Sequence, residues 1–292
     1  MNRQSLFNIV AIACTFAAIT ANAEPYLGFA NGQPIANVVP LTIMVYDEVS
    51  SALTAAPTVS VRMSGQTITV CIQRTLSGIG DPVLDGQFVP TPWYLPAGSY
   101  TVAYESSNRT ADGVQPPCLP KASRPFEVLP LQSLVQVVEY YNADLDHYFM
   151  TADPRERNVL DGGAIPGWTQ TGNFYTAFAP GTNSPDLSPV CRLYGLPQAG
   201  INSHFFSANP SDCTFALETW PNSWELETAD AFRAEPLPPT GFCPPNLYTV
   251  TRMYNNKPDV NHRYVTLENT IWAMKARGWI EEGPVWCTSK LY

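Results

Sequence analysis

The chain holds three histidines, and each follows a tyrosine and a polar turn. The segments are Tyr141 … Asp146-His147-Tyr148-Phe149-Met150-Thr151, Tyr194 … Ser203-His204-Phe205-Phe206-Ser207 and Tyr254 … Asn261-His262-Arg263-Tyr264-Val265-Thr266. Three imidazoles brought together would form a His₃ zinc site with a fourth position open to water. The competing role is mechanical: one ring nitrogen bonds backbone, the ring packs on aromatics, and a hairpin is pinned. A residue that recurs at one place in every copy of a unit usually serves the unit. Threefold motifs also often hold equivalent side chains far from their axis. The expectation is a structural role for all three, with no metal and no cofactor.

Other constellations are weaker. Asn142, Asp144 and Asp146 space their oxygens like the opening of a calcium loop, but the glycine and distal glutamate of such a loop are missing. A polar turn is expected there. No G-x-S-x-G elbow occurs, and Gly78 to Gly80 encloses no serine. Glu281-Glu282, and Glu225 with Glu227, are carboxylate pairs of the type glycoside hydrolysis needs. Adjacent loop acids are more often solvated, so no catalytic residue is assigned and the chain is expected not to be an enzyme. Aromatics are the stronger lead, because rings beside polar groups stack on sugars or fill peptide pockets. Trp220, Trp272 and Trp286 are extra to the recurring tryptophans described next, and are the ligand-binding candidates.

Those histidines are embedded in a larger repeat. Each segment continues into a helical pattern and then a tryptophan, Trp168, Trp224 or Trp279. An aromatic follows at Tyr175, Phe232 or Trp286. Asp153-Pro154-Arg155-Glu156 offers an N-cap, a proline at the first helical position and a capping-box acid, and Asn209-Pro210-Ser211-Asp212 repeats that chemistry. In the third copy Asn269 to Arg277 reads as helix and Gly278 as its stop. The Tyr-to-His spacings of 6, 10 and 8 residues suit a hairpin loop of variable length. One unit is therefore strand–strand–helix–strand, over about 137–180, 190–237 and 248–289. It cannot bury its aromatic face alone, so three units are expected to close around a pseudo-threefold axis.

Residues 24–132 lack the repeat. Leu41 to Tyr46, Val59 to Met63, Thr67 to Ile72, Ser99 to Tyr104 and Phe126 to Leu129 read as strands, with a hairpin at Ser64-Gly65-Gln66. A small immunoglobulin-like β-sandwich is expected, with the boundary at Leu129-Pro130-Leu131-Gln132. The fold class is a β-rich α+β chain: this sandwich followed by the threefold domain over 133–292. Of the 34 aromatics, 23 fall in 137–292, which places the larger aromatic core there.

Residues 1–23 read as a secretory signal: Arg3, an apolar stretch from Leu6 to Thr20, and Ala21-Asn22-Ala23 before the cleavage point. A lipoprotein reading through Cys14 is disfavoured, because the residues after it stay apolar. Removal of Cys14 leaves six cysteines, an even number that implies three disulfides in a secreted or periplasmic protein. Domain logic pairs Cys71 with Cys118, Cys191 with Cys213, and Cys243 with Cys287. No C-x-x-C pair is present, which argues against zinc ribbons. The net charge of −9 offers no electrostatic footprint for nucleic acid.

The Tyr-turn-(Asp/Ser/Asn)-His-aromatic core and the Gly278-Trp279-Ile280-Glu281-Glu282-Gly283 tail resemble an aromatic–histidine repeat domain of unknown function in exported bacterial and fungal proteins. Relatives are often appended to hydrolases, which implies an accessory role and supplies no chemistry. The expected function is an exported, non-catalytic binding or adhesion module for cell-wall or extracellular glycans. The alternatives are a carboxylate- or metal-dependent hydrolase and a protein-partner or inhibitor module.

Overall fold

Alternating β-branched residues build two facing sheets in the first part of the chain. The computed structural model describes residues 24–30, 32–36, 40–244 and 247–289; the signal-peptide reading of 1–23 lies outside them. One sheet has the order β1 (Tyr26–Phe29), β2 (Thr42–Val49), β5 (Val83–Pro90). The other has β3 (Thr58–Ser64), β4 (Thr67–Leu76), β6 (Gly98–Thr110), β7 (Leu119–Val128), with β4 and β6 parallel. Ile43 and Val45 from the first sheet share a core with Ile68, Val70, Ile72 and Val102 from the second, all fully buried. Each such side chain stabilises by about 1.5–3 kcal/mol. The β3–β4 hairpin turns at Gly65, whose φ of 57° a side chain would resist. β1 and β5 were not expected as strands: β1 has four residues, and β5 carries Asp85-Gly86-Gln87 and ends in Pro90.

A buried charge network joins these sheets. Arg74 of β4, fully buried, donates from Nε to Asp85 of β5 (2.7 Å) and from Nη1 to the Tyr104 hydroxyl (2.7 Å). Tyr104 donates in turn to Asp47 of β2 (2.5 Å). Burial, with Asp47 as acceptor, pushes the Tyr104 hydroxyl up to about 12.

The remaining chain runs strand–strand–helix–strand three times. The first run is β8 (Leu134–Asn142), β9 (His147–Thr151), α1 (Pro154–Asp161), β10 (Trp168–Phe178). The second is β11 (Ser188–Gly195), β12 (Ser203–Ser207), α2 (Pro210–Thr219), β13 (Trp224–Ala234). The third is β14 (Leu247–Tyr254), β15 (His262–Val265), α3 (Glu268–Ala276), β16 (Ile280–Ser289). In each, the first strand is the middle of an antiparallel ribbon, flanked by the second and last strands. Asp153 and Asn209 cap α1 and α2 by accepting from the amides of Arg155 and Ser211, whereas Leu267 gives α3 no side-chain cap. Gly278, at φ 89°, ends the α3 region.

The ribbons close on one another. The ends of β10, β13 and β16 meet, through the pairs Phe178–Arg233 and Thr176–Ser289, and β9, β12 and β15 are mutually adjacent. Tyr175, Phe232 and Trp286 occupy one ladder position, opposite Val137, Val190 and Val250, and all six enter a single core. Trp286 is fully buried and stacked on Tyr264 at 5.2 Å. It belongs to the interior and presents no face to a ligand, which corrects its placement among the surface candidates.

The three disulfides are Cys71–Cys118, Cys191–Cys213 and Cys243–Cys287, the pairing expected. They fit an oxidising, extracytoplasmic environment. Among the described residues no helix is long and apolar enough to cross a membrane.

The sheets of the first part are fastened to the ribbons. Ile35 and Leu129 pack with Phe178 and Leu187. Ser184 donates to the Gln33 side chain (2.6 Å), which donates onward to the Glu127 carbonyl (2.6 Å), and Arg124 pairs with Asp186. Glu235 lies beneath the Gly32 turn with Oε1 enclosed, and burial pushes its carboxyl up to about 8.

Candidate functional site

The strand ladders place the histidines in two different frames. His204 and His262 stand opposite Tyr194 and Tyr254. The residue opposite Tyr141 is Tyr148, and His147 is one step nearer its turn, opposite Asn142. Since successive strand residues alternate faces, that step sends His147 to the other side of the ribbon. There it shares a position with Ser203, and Asn261 stands beside them, bonded to Ser203 (2.9 Å) and to both backbone groups of Tyr148 (2.8 and 3.0 Å). His147 is buried, with Nδ1 3.0 Å from the carbonyl of Asn202 and Nε2 3.1 Å from that of Asp259. One imidazole thus binds the hairpin turns of the two other runs.

His204 and His262 face acids of their own last strands. His204 Nε2 is 3.2 Å from Glu227, and His262 Nε2 is 3.5 Å from Glu282. Burial and the Arg252 charge push the His262 ring down to about 3, so it stays neutral. Among the described residues no group of three or more His, Cys, Asp and Glu is arranged to hold a metal. Asn142 closes its turn by accepting the amides of Asp144 (3.1 Å) and Leu145 (3.2 Å), and Asp146 pairs with Lys257 (2.8 Å) and Arg277 (2.9 Å). The carboxylate pairs divide in the same way: Glu281 pairs with Lys275, and Glu282 with Arg252.

Three junctions between runs carry the charged residues. At the first, Arg192 of β11 lies over the Phe149 ring (5.7 Å), bonds Glu156 at the start of α1 (2.7 Å) and ion-pairs with Glu227 of β13 (2.8 Å). Burial pushes the Glu227 carboxyl up, but His204 and Arg192 outweigh it and hold the group below its usual range. At the second junction Arg252 of β14 lies over Phe205 (4.8 Å), near Asp212 of α2 (3.9 Å) and bonded to Glu282 of β16 (2.7 Å). Glu156, expected as a capping-box acid, therefore reaches across the junction instead.

The third junction departs from the other two. The ladder position of Arg192 and Arg252 holds Glu139, and that of Phe149 and Phe205 holds Arg263. Arg263 donates to Glu139 from Nε (2.8 Å) and Nη2 (2.9 Å), and its guanidinium covers the Tyr148 ring at 4.0 Å. Thr171 and Asn173 also donate to Glu139. Thr270 of α3 stands where the helix acids stand elsewhere, and a cleft opens here, lined by Glu139, Asn173, Phe174, Thr266, Leu267 and Thr270 among others. Sequence reasoning missed this site, because Glu139 and Thr270 look ordinary until the ladders align them with Arg192 and Asp212.

Residues 121–234 match a protein family described as a domain of unknown function, DUF5648. The match runs from within β7 through the first two runs, about two fifths of the chain. No curated protein and no solved structure matches the chain.

The two other aromatic candidates are exposed. Trp220, at the end of α2, is 46% exposed and meets Phe215, 61% exposed, edge-on at 5.7 Å. Trp272 of α3 is 63% exposed, with the Lys275 ammonium 5.3 Å from its ring centre. By contrast, Trp224 and Trp279 are buried, and Trp168 is partly so. Trp168 packs on Phe149, Trp224 on Phe205 and Trp279 on Tyr148. Tyr141, Tyr194 and Tyr254 lie against Tyr148, His204 and His262 respectively.

Proposed function

We propose that this chain is an exported, non-catalytic binding or adhesion module that recognises cell-wall or extracellular glycans. The observation that carries it is the Trp220–Phe215 pair, two exposed rings at one helix end beside Pro221-Asn222-Ser223. Apolar ring faces next to hydrogen-bonding groups suit the C–H faces and hydroxyls of a sugar. In this reading residues 1–23 are a signal peptide cleaved after Ala23, 24–132 an immunoglobulin-like sandwich, and 133–292 three copies of one unit about a pseudo-threefold axis. The cyclic pattern of Arg192 on Phe149, Arg252 on Phe205 and Glu139 on Arg263 supports the threefold arrangement. The acidic charge argues against nucleic acid and leaves neutral or cationic ligands open.

The test is saturable binding of the purified protein to insoluble and arrayed glycans, including chitin and peptidoglycan. Trp220→Ala should weaken binding about tenfold with folding intact, since one stacking contact contributes about 1–1.5 kcal/mol. A blank panel with a folded protein would discard glycan recognition.

A further inference from the structure

The geometry points to a second, independent subsite in the cleft at the third junction, shaped for the acetamido group of an N-acetylated amino sugar. The inference rests on the glycan-binding reading and adds to it a place and a sugar class. Two of three equivalent junctions are filled by their own side chains: an arginine held between a helix acid and a strand acid. At the third, each of these positions carries a shorter or differently charged group, Glu139, Thr270 and Thr171, and the space stays open.

The enclosed part of this cleft holds about one methyl-sized group, so the rest of an acetamido group and the sugar ring would lie in its open mouth. Its walls set the class of that group. Val137, Met150 and Val265 form an apolar wall against which a methyl can be buried. The Glu139 oxygen Oε1 accepts one bond from Arg263, whereas Oε2 accepts from Arg263, Thr171 and Asn173. A carboxylate oxygen has capacity for a further donor such as an amide N–H. Thr266 and Thr270, before and in the first turn of α3, line the other wall, and their hydroxyls suit an acetamido carbonyl. Phe174, 44% exposed at the bulge after Gly172, offers a face for the pyranose ring outside. Because Arg263 balances Glu139, the site carries no net charge and favours a neutral ligand.

The experiment is ligand-observed NMR on the full chain with the methyl glycosides of N-acetylglucosamine and glucose. The N-acetylated glycoside should bind in the millimolar range, as expected for a single ring, and at least tenfold more tightly than glucose. Thr270→Glu rebuilds the helix acid of the other junctions inside the cleft and should abolish this binding. Phe174→Ala should weaken it about tenfold. Trp220→Ala should leave the preference for the N-acetylated glycoside unchanged. Equal binding of the two glycosides, or no binding of either, overturns the subsite. So does retention of binding in Thr270→Glu. Chitin retention lost in Trp220→Ala but unaffected by both cleft variants would overturn the subsite and leave the glycan reading standing, whereas a blank glycan panel removes both.

Discussion

Arg263 and Glu139 form a bidentate pair between β15 and β8, with both partners buried and bonds of 2.8 and 2.9 Å. It fastens the third run to the first, across 124 residues of sequence. Loss of Arg263 leaves a buried carboxylate without its counter-charge, whereas loss of both partners leaves a neutral site. Arg263→Leu should therefore destabilise by about 3–5 kcal/mol, and the double variant Glu139→Leu/Arg263→Leu should recover most of that. Urea unfolding followed by tryptophan fluorescence measures both; equal losses in the single and double variants would count against a charge-driven link.

His147 and His204 should respond differently to truncation. His147→Ala removes a buried ring set between two turn carbonyls and should cost about 1–3 kcal/mol, whereas partly exposed His204 should cost about 1 kcal/mol. Added zinc should leave the melting temperature of the native protein unchanged. A zinc-dependent rise would restore the metal reading.

Acid should act through His262. Its ring ionises near 6.5 when unfolded but only near 3 when folded, so the unfolded state takes up a proton first. Stability is then lost as pH falls from about 6.5 toward 3, and His262→Phe should flatten that slope in a series of thermal melts.

Glu235 carries the opposite dependence. Its folded carboxyl ionises near 8, against about 4.5 unfolded, so the folded state holds the extra proton between those values. Stability should fall as pH rises from about 4.5 to 8, and Glu235→Gln should remove this fall. An unaltered profile would mean that the enclosed oxygen is reached by solvent.

The Cys191–Cys213 bond closes a 22-residue separation and ties α2 to the middle strand of its ribbon. Replacing both with alanine should cost about 3 kcal/mol. Because Trp220 sits at the far end of that helix, its fluorescence should shift toward that of a solvated indole before global unfolding.

Local signals in the sequence were enough for much of this fold. The caps at Asp153 and Asn209 depend on four consecutive residues, and the disulfides followed from grouping cysteines by region. Strand parity was not legible. His147 and His204 look alike in sequence, yet the β8–β9 turn places one a single step away from the other, and nothing short of the ladder reveals that. Trp286 was open to a different correction, because its spacing from Trp279 equals that of Tyr175 from Trp168 and is within one residue of that of Phe232 from Trp224. The Arg74 network escaped notice since Asp47, Asp85 and Tyr104 come from three separate strands.

The mutual adjacency of β9, β12 and β15 has a consequence for how such a chain can change over generations. An open stack of repeats can lengthen or shorten by one, because each end is a free surface. Here each of the three strands already touches the other two, and on the proposed threefold reading the ring has no seat for a fourth. That reading would fix the copy number and leave novelty to differences between the runs, as at Glu139 and Thr270.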